Sequence, residues 1–455
     1  MVDFEKFARY SKAGPRYTSY PTANEFNENF GEAEYLGALA RSDRSVPLSL
    51  YVHLPFCRSA CYFCGCNVIY TSKEDKKARY IGYLEKELTL LRSALDTSRT
   101  VTQLHFGGGT PTFMDDSQLA RVLGLIHGTF PNFATDAELS CEIDPRFFTK
   151  AQMKALKEGG INRLSFGVQD FDENVQEAIH RVQSVQLVGE AVALARDFGI
   201  TSINFDLIYG LPHQNFESFK ATLESVVKLN PDRLAIFNYA HVPWMKKTMR
   251  KIDETTLPSP KEKLKILEHA IGFLKEKGYE MIGMDHFAKR EDELFRAIEK
   301  GELRRNFQGY TTKGGSQTIG IGLTSIGEGL DYYAQNHKEM SEYESALDSG
   351  HLPICKGIAL SKEDRLRKEV IMSLMSNFKL AYAPIEAHYG IDFQSHFEES
   401  LQELGEYVEA GLVELSEQGI KVSPTGAMLV RNIAMVFDTF LKKTPPLERK
   451  FSKTV

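Results

Sequence analysis

The chain has 455 residues, more than one hydrophobic core usually organises, so we expect two or three domains. Its 42% hydrophobic and 25% charged residues exclude a wholly disordered protein. The formal net charge of −6 provides no general field that attracts nucleic acid or an anionic membrane, and we expect neither as a partner.

The N-terminal region, residues 1–45, predicts an irregular arm because Gly14, Pro15 and Pro21 interrupt it. Its first residues mix charges with aromatics and lack the apolar core of a signal peptide. No uninterrupted apolar stretch of the chain is long enough to span a bilayer. We therefore expect a cytoplasmic protein that does not insert into a membrane.

Residues 46–345 alternate short β-rich runs with helical patterns, which predicts an α/β domain with a parallel sheet. The runs are mostly continuous in apolar residues, which favours a barrel or partial barrel; a doubly wound open sheet is the alternative. In both architectures ligands bind beyond the C-terminal ends of the strands. Seven runs are candidate strands: residues 47–55, 101–109, 138–144, 162–169, 202–210, 233–242 and 279–287.

Two of the intervening segments show the apolar spacing of an amphipathic helix. Ser117 is the candidate N-cap of the first of these helices. The apolar positions are Leu119, Val122, Leu123 and Ile126 in the first helix, and Phe219, Leu223, Val226 and Val227 in the second.

Residues 346–455 predict a mostly helical domain that resembles a small winged-helix unit. Helical stretches at 361–378 and 394–411 precede a hairpin at 412–426 and a last helix at 428–443. DNA binding is not expected, because phosphate contacts need Lys and Arg where this domain is acidic in its middle. The acidic residues are Glu398, Glu399, Glu403, Glu406 and Glu409. We expect a structural or partner-docking role.

Four of the six cysteines, Cys57, Cys61, Cys64 and Cys66, lie within ten residues directly after the first predicted strand. In a reducing compartment such clustering indicates metal binding rather than disulfides. The spacing lets one short loop wrap three thiolates around a cubic iron-sulfur cluster and leaves the fourth iron without a cysteine. On the cysteines alone, a zinc site that also uses Cys66 and a closed electron-transfer cluster stay open, although Cys66 is too close to Cys64 for a relaxed tetrahedron.

Polar and glycine residues stand where the predicted strands end. The glycine turn at 107–112 lets the backbone approach the amino and carboxylate groups of an amino-acid ligand. Glu142, Gln169 and Asp206 follow or end successive apolar strands, where stability alone rarely places polar residues. Their carboxylates and amide suit the amine and ribose hydroxyls of a cofactor.

The three-cysteine motif CxxxCxxC is the signature of the radical S-adenosylmethionine (SAM) superfamily, and the chain resembles its coproporphyrinogen dehydrogenases. The resemblance runs along nearly the whole chain and is carried by residues 12–23 (KAGPRYTSYPTA), the loop 57–66, residues 106–112 (FGGGTPT) and residues 283–288 (GMDHFA). It implies a partial (β/α) TIM-like barrel of the radical SAM type, with an N-terminal arm and a mostly helical C-terminal domain.

The resemblance also implies a role for individual residues. Cys57, Cys61 and Cys64 bind one 4Fe-4S cluster, while Cys66 does not bind it but matters for activity. The implied contacts of a first SAM molecule are Tyr51, Gly108, Glu142 and Ile326. The implied contacts of a second SAM molecule are Phe63, Gly109, Thr110, Gln169, Arg181, Asp206 and Ala240. Of these residues, Tyr51 and Cys66 are the ones we assign to catalysis.

The implied reaction is the oxidative decarboxylation of two propionates of coproporphyrinogen III to vinyl groups, which yields protoporphyrinogen IX in anaerobic heme biosynthesis. An electron delivered to the cluster cleaves SAM, and the resulting radical removes hydrogen from the β-carbon of a propionate. Loss of carbon dioxide and of one further electron leaves the vinyl group. The electron donor and acceptor are not identified by the sequence, and we expect a monomer.

A substrate with four propionates predicts cationic and hydroxyl groups near the cluster. Arg16, Tyr17 and Tyr20 are the candidates, on an arm that we interpret as a lid. His53 and His286 are candidate proton or hydrogen-bond partners.

Three other functions compete with this reading. A heme-binding chaperone shares the scaffold, but such relatives usually carry Phe at the position of Cys66 and lack the arm. A radical SAM enzyme that acts on heme itself is the second alternative, and a structural zinc protein is the third.

Overall fold

The computed structural model describes Tyr10, residues 12–443 and Phe451. The apolar runs form strands because their side chains are buried on both faces of a sheet. In chain order the strands of this described part are β1 (Leu48–Leu54), β2 (Phe56–Cys57), β3 (Ile69–Tyr70), β4 (Val101–Gly108), β5 (Phe133–Ile143), β6 (Arg163–Gln169), β7 (Ser202–Tyr209), β8 (Arg233–Asn238), β9 (Tyr279–Ile282), β10 (His286–Lys289), β11 (Arg304–Asn306), β12 (Gly309–Thr311), β13 (Gln317–Ile321), β14 (Ile326–Glu328), β15 (Tyr332–Asn336), β16 (Ile354–Ala359), β17 (Lys379–Ala381), β18 (Val413–Leu415) and β19 (Gly419–Val422).

Amphipathic segments between the strands form helices that pack their apolar side against the sheet. The α-helices of the described residues are α1 (Glu32–Arg41), α2 (Glu74–Ala94), α3 (Asp116–Thr129), α4 (Lys150–Glu158), α5 (Glu173–Ala178), α6 (Val185–Asp197), α7 (Phe216–Leu229), α8 (Pro260–Glu276), α9 (Glu293–Lys300), α10 (Met340–Asp348), α11 (Lys362–Asn377), α12 (Tyr382–Tyr389), α13 (Phe393–His396), α14 (Glu398–Glu403), α15 (Gly405–Glu409), α16 (Val430–Met435) and α17 (Thr439–Lys443). Short 3-10 helices cover Ala23–Glu25, Pro111–Phe113, Pro145–Phe147, Lys247–Lys251, Glu254–Thr256 and Gly426–Leu429.

The main sheet has twelve strands in the order β16-β15-β14-β13-β1-β4-β5-β6-β7-β8-β10-β9. Pairing is parallel from β13 through β1 and β4 to β8, and antiparallel at both ends. Strands β16 and β9 lie at the two ends of this order and do not pair with each other, so the sheet is open, as in a partial barrel. The predicted parallel α/β architecture is confirmed.

The prediction of a single strand at residues 279–287 is wrong. The chain reverses there, so that β9 and β10 pair antiparallel as a hairpin. Gly283 lies in the turn at φ +58°, a backbone conformation that side chains with a Cβ rarely adopt. The seventh parallel strand is instead β13, a short run beside β1 that the apolar pattern did not reveal.

The predicted irregular arm contains a regular element. Helix α1 buries Tyr35, Ala38 and Leu39, whose spacing places them on one face toward the sheet core. The prediction of an irregular 1–45 is therefore wrong for Glu32–Arg41, while residues 1–9 and 11 lie outside the described residues.

The predicted helix after the second strand begins earlier than expected. Asp115 rather than Ser117 is the N-cap, because its side chain accepts the backbone N–H of Gln118 at 2.8 Å. The four apolar positions predicted for α3 are all buried. In α7 Phe219, Leu223 and Val226 are buried, whereas Val227 is only partly buried.

A second apolar core lies in the C-terminal region and includes side chains from α11, α12 and the hairpin β18–β19. The predicted stretch 394–411 forms three short helices, and the predicted last helix breaks between α16 and α17. The break occurs where the side chain of Asp438 accepts the N–H of Leu441 at 2.9 Å and starts a new helix. Strand β16 still pairs with the main sheet, so the sheet extends past the expected boundary at 345.

None of the helices in the described part of the chain is long and apolar enough to cross a membrane.

Candidate active site

A cavity of about 530 Å³ lies where the parallel strands end. Side chains from the cysteine loop and from the ends of β5, β6 and β7 line it together. They include Cys57, Cys61, Cys64, Cys66, Glu142, Gln169 and Asp206. The predicted convergence of polar strand ends with the cysteines is thus present in the structure.

The cysteine loop is closed at its base by backbone hydrogen bonds. Strands β2 and β3 pair in parallel, the N–H of Ile69 donates to the carbonyl of Pro55 at 2.7 Å, and that of Thr71 donates to the carbonyl of Cys57 at 3.3 Å. The N–H of Tyr62 also donates to the carbonyl of Ile179 at 2.9 Å. These bonds hold the cysteines at the mouth of the cavity.

Two guanidinium groups lie against the thiol of Cys61. The Nη1 of Arg181 and the Nη2 of Arg146 lie 3.7 Å and 3.9 Å from its Sγ, and both arginines pair with Asp144. Burial opposes ionisation of Asp144, but the two arginines outweigh it and lower the pKa of that carboxyl. The two guanidinium groups therefore place positive charge beside the thiol of Cys61.

The thiols themselves differ in their surroundings. Burial raises the pKa of Cys57 to about 12, although Thr110 shares a hydrogen bond with its Sγ at 3.5 Å. The hydrogen bond with Cys66 lowers the pKa of Cys64 to about 7. Metal ligation requires the thiolate form, so binding at Cys57 has to displace a proton.

The donor set fits an iron-sulfur cluster. All the described cysteines are free of disulfides, and three with the required spacing line one cavity. Within the described residues no three His, Cys, Asp or Glu side chains are grouped for a single metal ion, whereas a 4Fe-4S cluster uses thiols spread around a cube because each binds a separate iron.

Two polar atoms in the cavity wall fit a polar ligand. The Nε of Arg181 and the Oγ1 of Thr112 are buried without a hydrogen-bond partner among the described residues. Buried polar groups are rarely left unpaired, so a ligand in the cavity would complete them.

The glycine turn at the end of β4 is required by packing. A Cβ on Gly109 would lie 2.7 Å from the carbonyl oxygen of Phe56, and one on Gly108, which has φ +115°, would lie 2.8 Å from the ring of His53. The turn therefore needs glycine even before a ligand is considered. Gly109 and Thr110 line the cavity.

The strand-end residues show the features of a ligand site. Burial and then the charge of Glu142 raise the pKa of Asp206 to about 6, while Ser165 and Asn204 donate to its two oxygens at 3.0 Å and 2.9 Å. Gln169 has φ +67°, a strained conformation for a residue with a side chain, and such strain concentrates at functional sites.

Eight of the predicted cofactor-contact and catalytic residues line the cavity, and four do not. Those that line it are Phe63, Cys66, Gly109, Thr110, Glu142, Gln169, Arg181 and Asp206. Those outside the lining are Tyr51, Gly108, Ala240 and Ile326.

Three of the outside residues lie directly behind the wall. Tyr51 stacks on His105, whose Nε2 lies 3.3 Å from Glu142. Gly320 of β13 pairs with Tyr51 of β1. Ile326 lies against Gly320, since a Cβ on that glycine would be 2.8 Å from the carbonyl carbon of Ile326. Gly108 packs on His53, and Ala240 follows the end of β8.

The two candidate histidines are held by protein partners. Burial lowers the pKa of His53 to about 4; its ring nitrogens face the hydroxyl of Tyr51 at 3.0 Å and the carbonyl of Asn67 at 3.1 Å. His53 is therefore neutral near pH 7. The Nδ1 of His286 lies 2.7 Å from Asp285.

The arm tyrosines do not supply free hydroxyls to the cavity, contrary to the sequence interpretation. Tyr17 donates to Asp438 at 2.8 Å, and Tyr20 shares a hydrogen bond with Thr439 at 3.0 Å. Both rings are buried in the C-terminal core, because the arm packs against a segment distant in sequence. Arg16 donates to the carbonyl of Asn238 at 2.7 Å and lines a separate small cavity.

Sequence reasoning missed Asp144, Arg146 and Lys246. The first two follow directly after β5, so the rule that strand ends carry ligands could have found them. The Nζ of Lys246 donates to the carbonyl of Cys66 at 3.0 Å, a contact between segments 180 residues apart that no local pattern indicates.

Comparison with known proteins agrees with this geometry. A model of the radical SAM superfamily matches residues 51–226, and a model of the HemN C-terminal domain matches residues 360–429. The chain is 62% identical to an oxygen-independent coproporphyrinogen III oxidase of Helicobacter pylori over 100% of this chain and 99% of the relative. It is 47% identical to the Escherichia coli protein of that name over 100% of this chain and 98% of the relative.

The solved structure of coproporphyrinogen III oxidase from Escherichia coli, described as a radical SAM enzyme, superposes with a TM-score of 0.90 at 47% identity and covers 93% of this chain and 97% of that chain. Because the likeness extends over the full length in both sequence and fold, this chain belongs to the oxygen-independent coproporphyrinogen III oxidase family of the radical SAM superfamily.

Proposed function

We propose that this chain converts two propionates of coproporphyrinogen III to vinyl groups by radical SAM chemistry and so forms protoporphyrinogen IX in anaerobic heme biosynthesis. The observation that carries the proposal is the cavity in which Cys57, Cys61 and Cys64 meet the polar ends of the parallel strands. Named relatives at up to 62% identity support the same reaction.

The cofactors would be held by residues of that cavity. We propose that Cys57, Cys61 and Cys64 bind the 4Fe-4S cluster, and that Arg146 and Arg181 offset its thiolate charge. When bound, the cluster and SAM supply the one-electron chemistry that removes a hydrogen atom from an unactivated carbon.

For the first SAM molecule we propose Glu142 as the partner of its amine, with Tyr51, Gly108 and Ile326 shaping the site from behind. The stacking of Tyr51 on His105, and the approach of His105 to Glu142, support this assignment. These contacts orient Glu142 toward the cavity.

For the second SAM molecule we propose a site around Asp206, whose carboxylate suits ribose hydroxyls. We propose six further contacts, of which five are residues of the cavity wall and one follows β8. These are Phe63, Gly109, Thr110, Gln169 and Arg181, and then Ala240. Phe63 also packs with apolar neighbours near the cysteines, which would keep water from the reacting groups.

Cys66 lines the cavity and hydrogen-bonds with Cys64. We propose that it acts in catalysis without binding iron. A heme-binding chaperone, or an enzyme that acts on heme, is not favoured over the oxidase.

The test is an anaerobic assay with reconstituted cluster, SAM, a chemical reductant and coproporphyrinogen III, and with cell extract as electron acceptor. Porphyrins and 5′-deoxyadenosine are separated by chromatography. We expect both products from the wild type and from Cys355→Ala, whose thiol donates to Asn336 away from the cavity, and neither from Cys61→Ala. Formation of 5′-deoxyadenosine with unchanged porphyrin would indicate that the radical reaction takes place on another substrate.

We propose, in addition, that the enzyme works as a monomer in the cytoplasm with separate electron donor and acceptor proteins. Sedimentation of the reconstituted enzyme and cell fractionation test these two points.

A further inference from the structure

The segment that follows β8 packs on the outside of the cysteine loop. The Nζ of Lys246 donates to the carbonyl of Cys66 at 3.0 Å. The Nζ of Lys251 lies 4.7 Å from the ring centroid of Tyr62, the residue after Cys61. Val242 joins the small apolar cluster that includes Tyr62 and Phe63. A molecule resting on this segment would therefore lie next to the loop that carries the three thiols.

The outer face of the segment exposes two large apolar side chains. Trp244 is 65% exposed and Met245 is 56% exposed, and Trp244 is the one tryptophan in the sequence. Neither side chain lines the cavity in the part of the chain that the structure describes. Exposed Trp and Met beside polar residues are typical of protein interaction sites.

The same face is strongly basic. Lys246, Lys247, Arg250 and Lys251 are its charged residues, and the sequence has no Asp or Glu from 241 to 252. This local charge contrasts with the net charge of −6 for the chain. We call Trp244, Met245, Lys247, Arg250 and Lys251 the basic patch. A local positive field speeds the approach of an acidic partner.

We propose that the basic patch is the docking surface for an acidic protein that carries single electrons and reduces the cluster. The inference rests on the proposed function, which requires an electron at the cysteine loop. In the docked complex one electron leaves the reduced carrier, which is oxidised, and enters the cluster, which is reduced. No atom or proton is exchanged.

The form of the surface fits a transient electron-transfer partner. Such encounters bury little area, below about 1,200 Å², and depend on charge for their rate. The apolar side chains at the centre of the basic patch supply the contact area, and the surrounding cations attract an acidic partner. The tetrapyrrole substrate is also anionic and apolar and would fit the same groups, so the KM for coproporphyrinogen is measured beside the binding of the carrier.

The sole tryptophan makes the patch directly observable. Reconstituted enzyme grown with 5-fluorotryptophan carries a single fluorine, at Trp244, so its ¹⁹F NMR signal reports this surface alone. The probe is unlabelled flavodoxin, an acidic protein that carries single electrons on FMN. We expect a saturable shift that weakens with salt, because the screening length falls from about 10 Å at 0.1 M to about 3 Å at 1 M.

Charge reversal separates docking from a general charge effect. Lys247→Glu with Lys251→Glu should raise the Kd for flavodoxin by at least about tenfold. Lys247→Glu alone should act in the same direction without disturbing the fold, since its side chain has no hydrogen bond or ion pair among the described residues. The control is Lys275→Glu with Lys277→Glu, at the C-terminal end of α8 and outside the basic patch, which should leave Kd unchanged.

The outcomes distinguish the docking surface from the proposed reaction. With dithionite as reductant and cell extract as electron acceptor, the wild type and Lys247→Glu should convert coproporphyrinogen III at equal rates. Absence of product with dithionite would contradict the proposed function. Product with dithionite but no saturable ¹⁹F shift, or an unchanged Kd in the patch variant, would overturn the docking surface. A raised KM for coproporphyrinogen with unchanged flavodoxin binding would assign the patch to the substrate and overturn it too.

Discussion

At Gly109 the cysteine loop and the end of β4 come so close that no side chain fits between them. The backbone of Pro55 and Phe56 lies 2.7 to 2.8 Å from the place where a Cβ would stand. The glycine therefore determines where the base of the loop sits, and with it the positions of the three thiols.

Gly109→Ala should displace the base of the loop, because backbone atoms rather than a flexible side chain oppose the new methyl group. We expect a cost of about 1 to 3 kcal/mol and a loss of iron after reconstitution, measured as iron per chain. Gly65→Ala is the control: it lies between Cys64 and Cys66, and its Cβ would meet nothing within 4 Å. Equal iron in the two variants would contradict this account of the loop.

Glu87 is a buried carboxyl outside the site, and it predicts how stability depends on pH. Burial raises its pKa from 4.5 to about 7, while Tyr343, Gly322 and Asn336 donate to it and limit the rise. Below the ordinary pKa both folded and unfolded chains hold the proton, so no penalty exists. As pH rises from 4.5 toward 7, only the unfolded chain releases it, and stability falls.

The full loss is on the order of 3 kcal/mol, from the difference between a pKa of about 7 in the folded chain and 4.5 in the unfolded chain. We expect urea unfolding of the cluster-free chain to show higher stability at about pH 5 than at about pH 7.5. Glu87→Gln should lack this part of the pH dependence, whatever its absolute stability. A variant with the full dependence of the wild type would show that other groups cause it.

At the scale of elements, the start of helix α3 shows which residue caps the helix. Asp115→Ala removes the acceptor for the N–H of Gln118 and should cost about 1 kcal/mol in urea unfolding. Ser117→Ala should stay within about 0.5 kcal/mol of the wild type, because Ser117 is exposed and only donates to Asp115. A larger loss of unfolding free energy for Ser117→Ala than for Asp115→Ala would indicate that Ser117 is the N-cap, as the sequence predicted.

Six of the seven predicted strands are present, because continuous apolar runs between helices identify buried parallel strands whatever their partners. The hairpin β9–β10 was misread as one strand because its apolar residues continue through the turn, and only Gly283 marks the reversal. Strand β13 was missed because Gln317–Ile321 is short and interrupted by polar residues and a glycine, so it shows no continuous apolar run.

The candidate site, like the fold, could be predicted from the sequence only in part. Glu142, Gln169 and Asp206 could be predicted to converge, since parallel strands bring their ends to one edge. The partners of Tyr17 and Tyr20 could not, because burial against residues 438 and 439 depends on how the C-terminal core packs on the arm.

At the scale of the whole molecule, the two ends of the chain hold each other. Tyr17 bonds Asp438, and Arg431 donates to the carbonyls of Gly14 and Pro15. The arm thereby joins the C-terminal core to the end of β8, where Arg16 donates to the carbonyl of Asn238.

Tyr17→Phe should loosen this connection, because it removes a buried hydrogen bond to a carboxylate worth about 1.5 to 3 kcal/mol. We expect trypsin to cut after Arg16 about tenfold faster than in the wild type, as followed by mass spectrometry. Tyr70→Phe, at an exposed tyrosine, should leave the cleavage rate unchanged. An equal rate in Tyr17→Phe would mean that the arm is held without this bond.

The central claim is that the strand-end cavity performs radical decarboxylation of propionates, and label transfer tests it most directly. Coproporphyrinogen III deuterated at the propionate β-carbons is incubated anaerobically with reconstituted enzyme, SAM, a reductant and cell extract as electron acceptor. The masses of 5′-deoxyadenosine and of the porphyrin product are then measured by mass spectrometry. The account predicts deuterium in the deoxyadenosine and a product in which two propionates have become vinyl groups. Deoxyadenosine without deuterium, beside a porphyrin that keeps all its carboxyl groups, would contradict it.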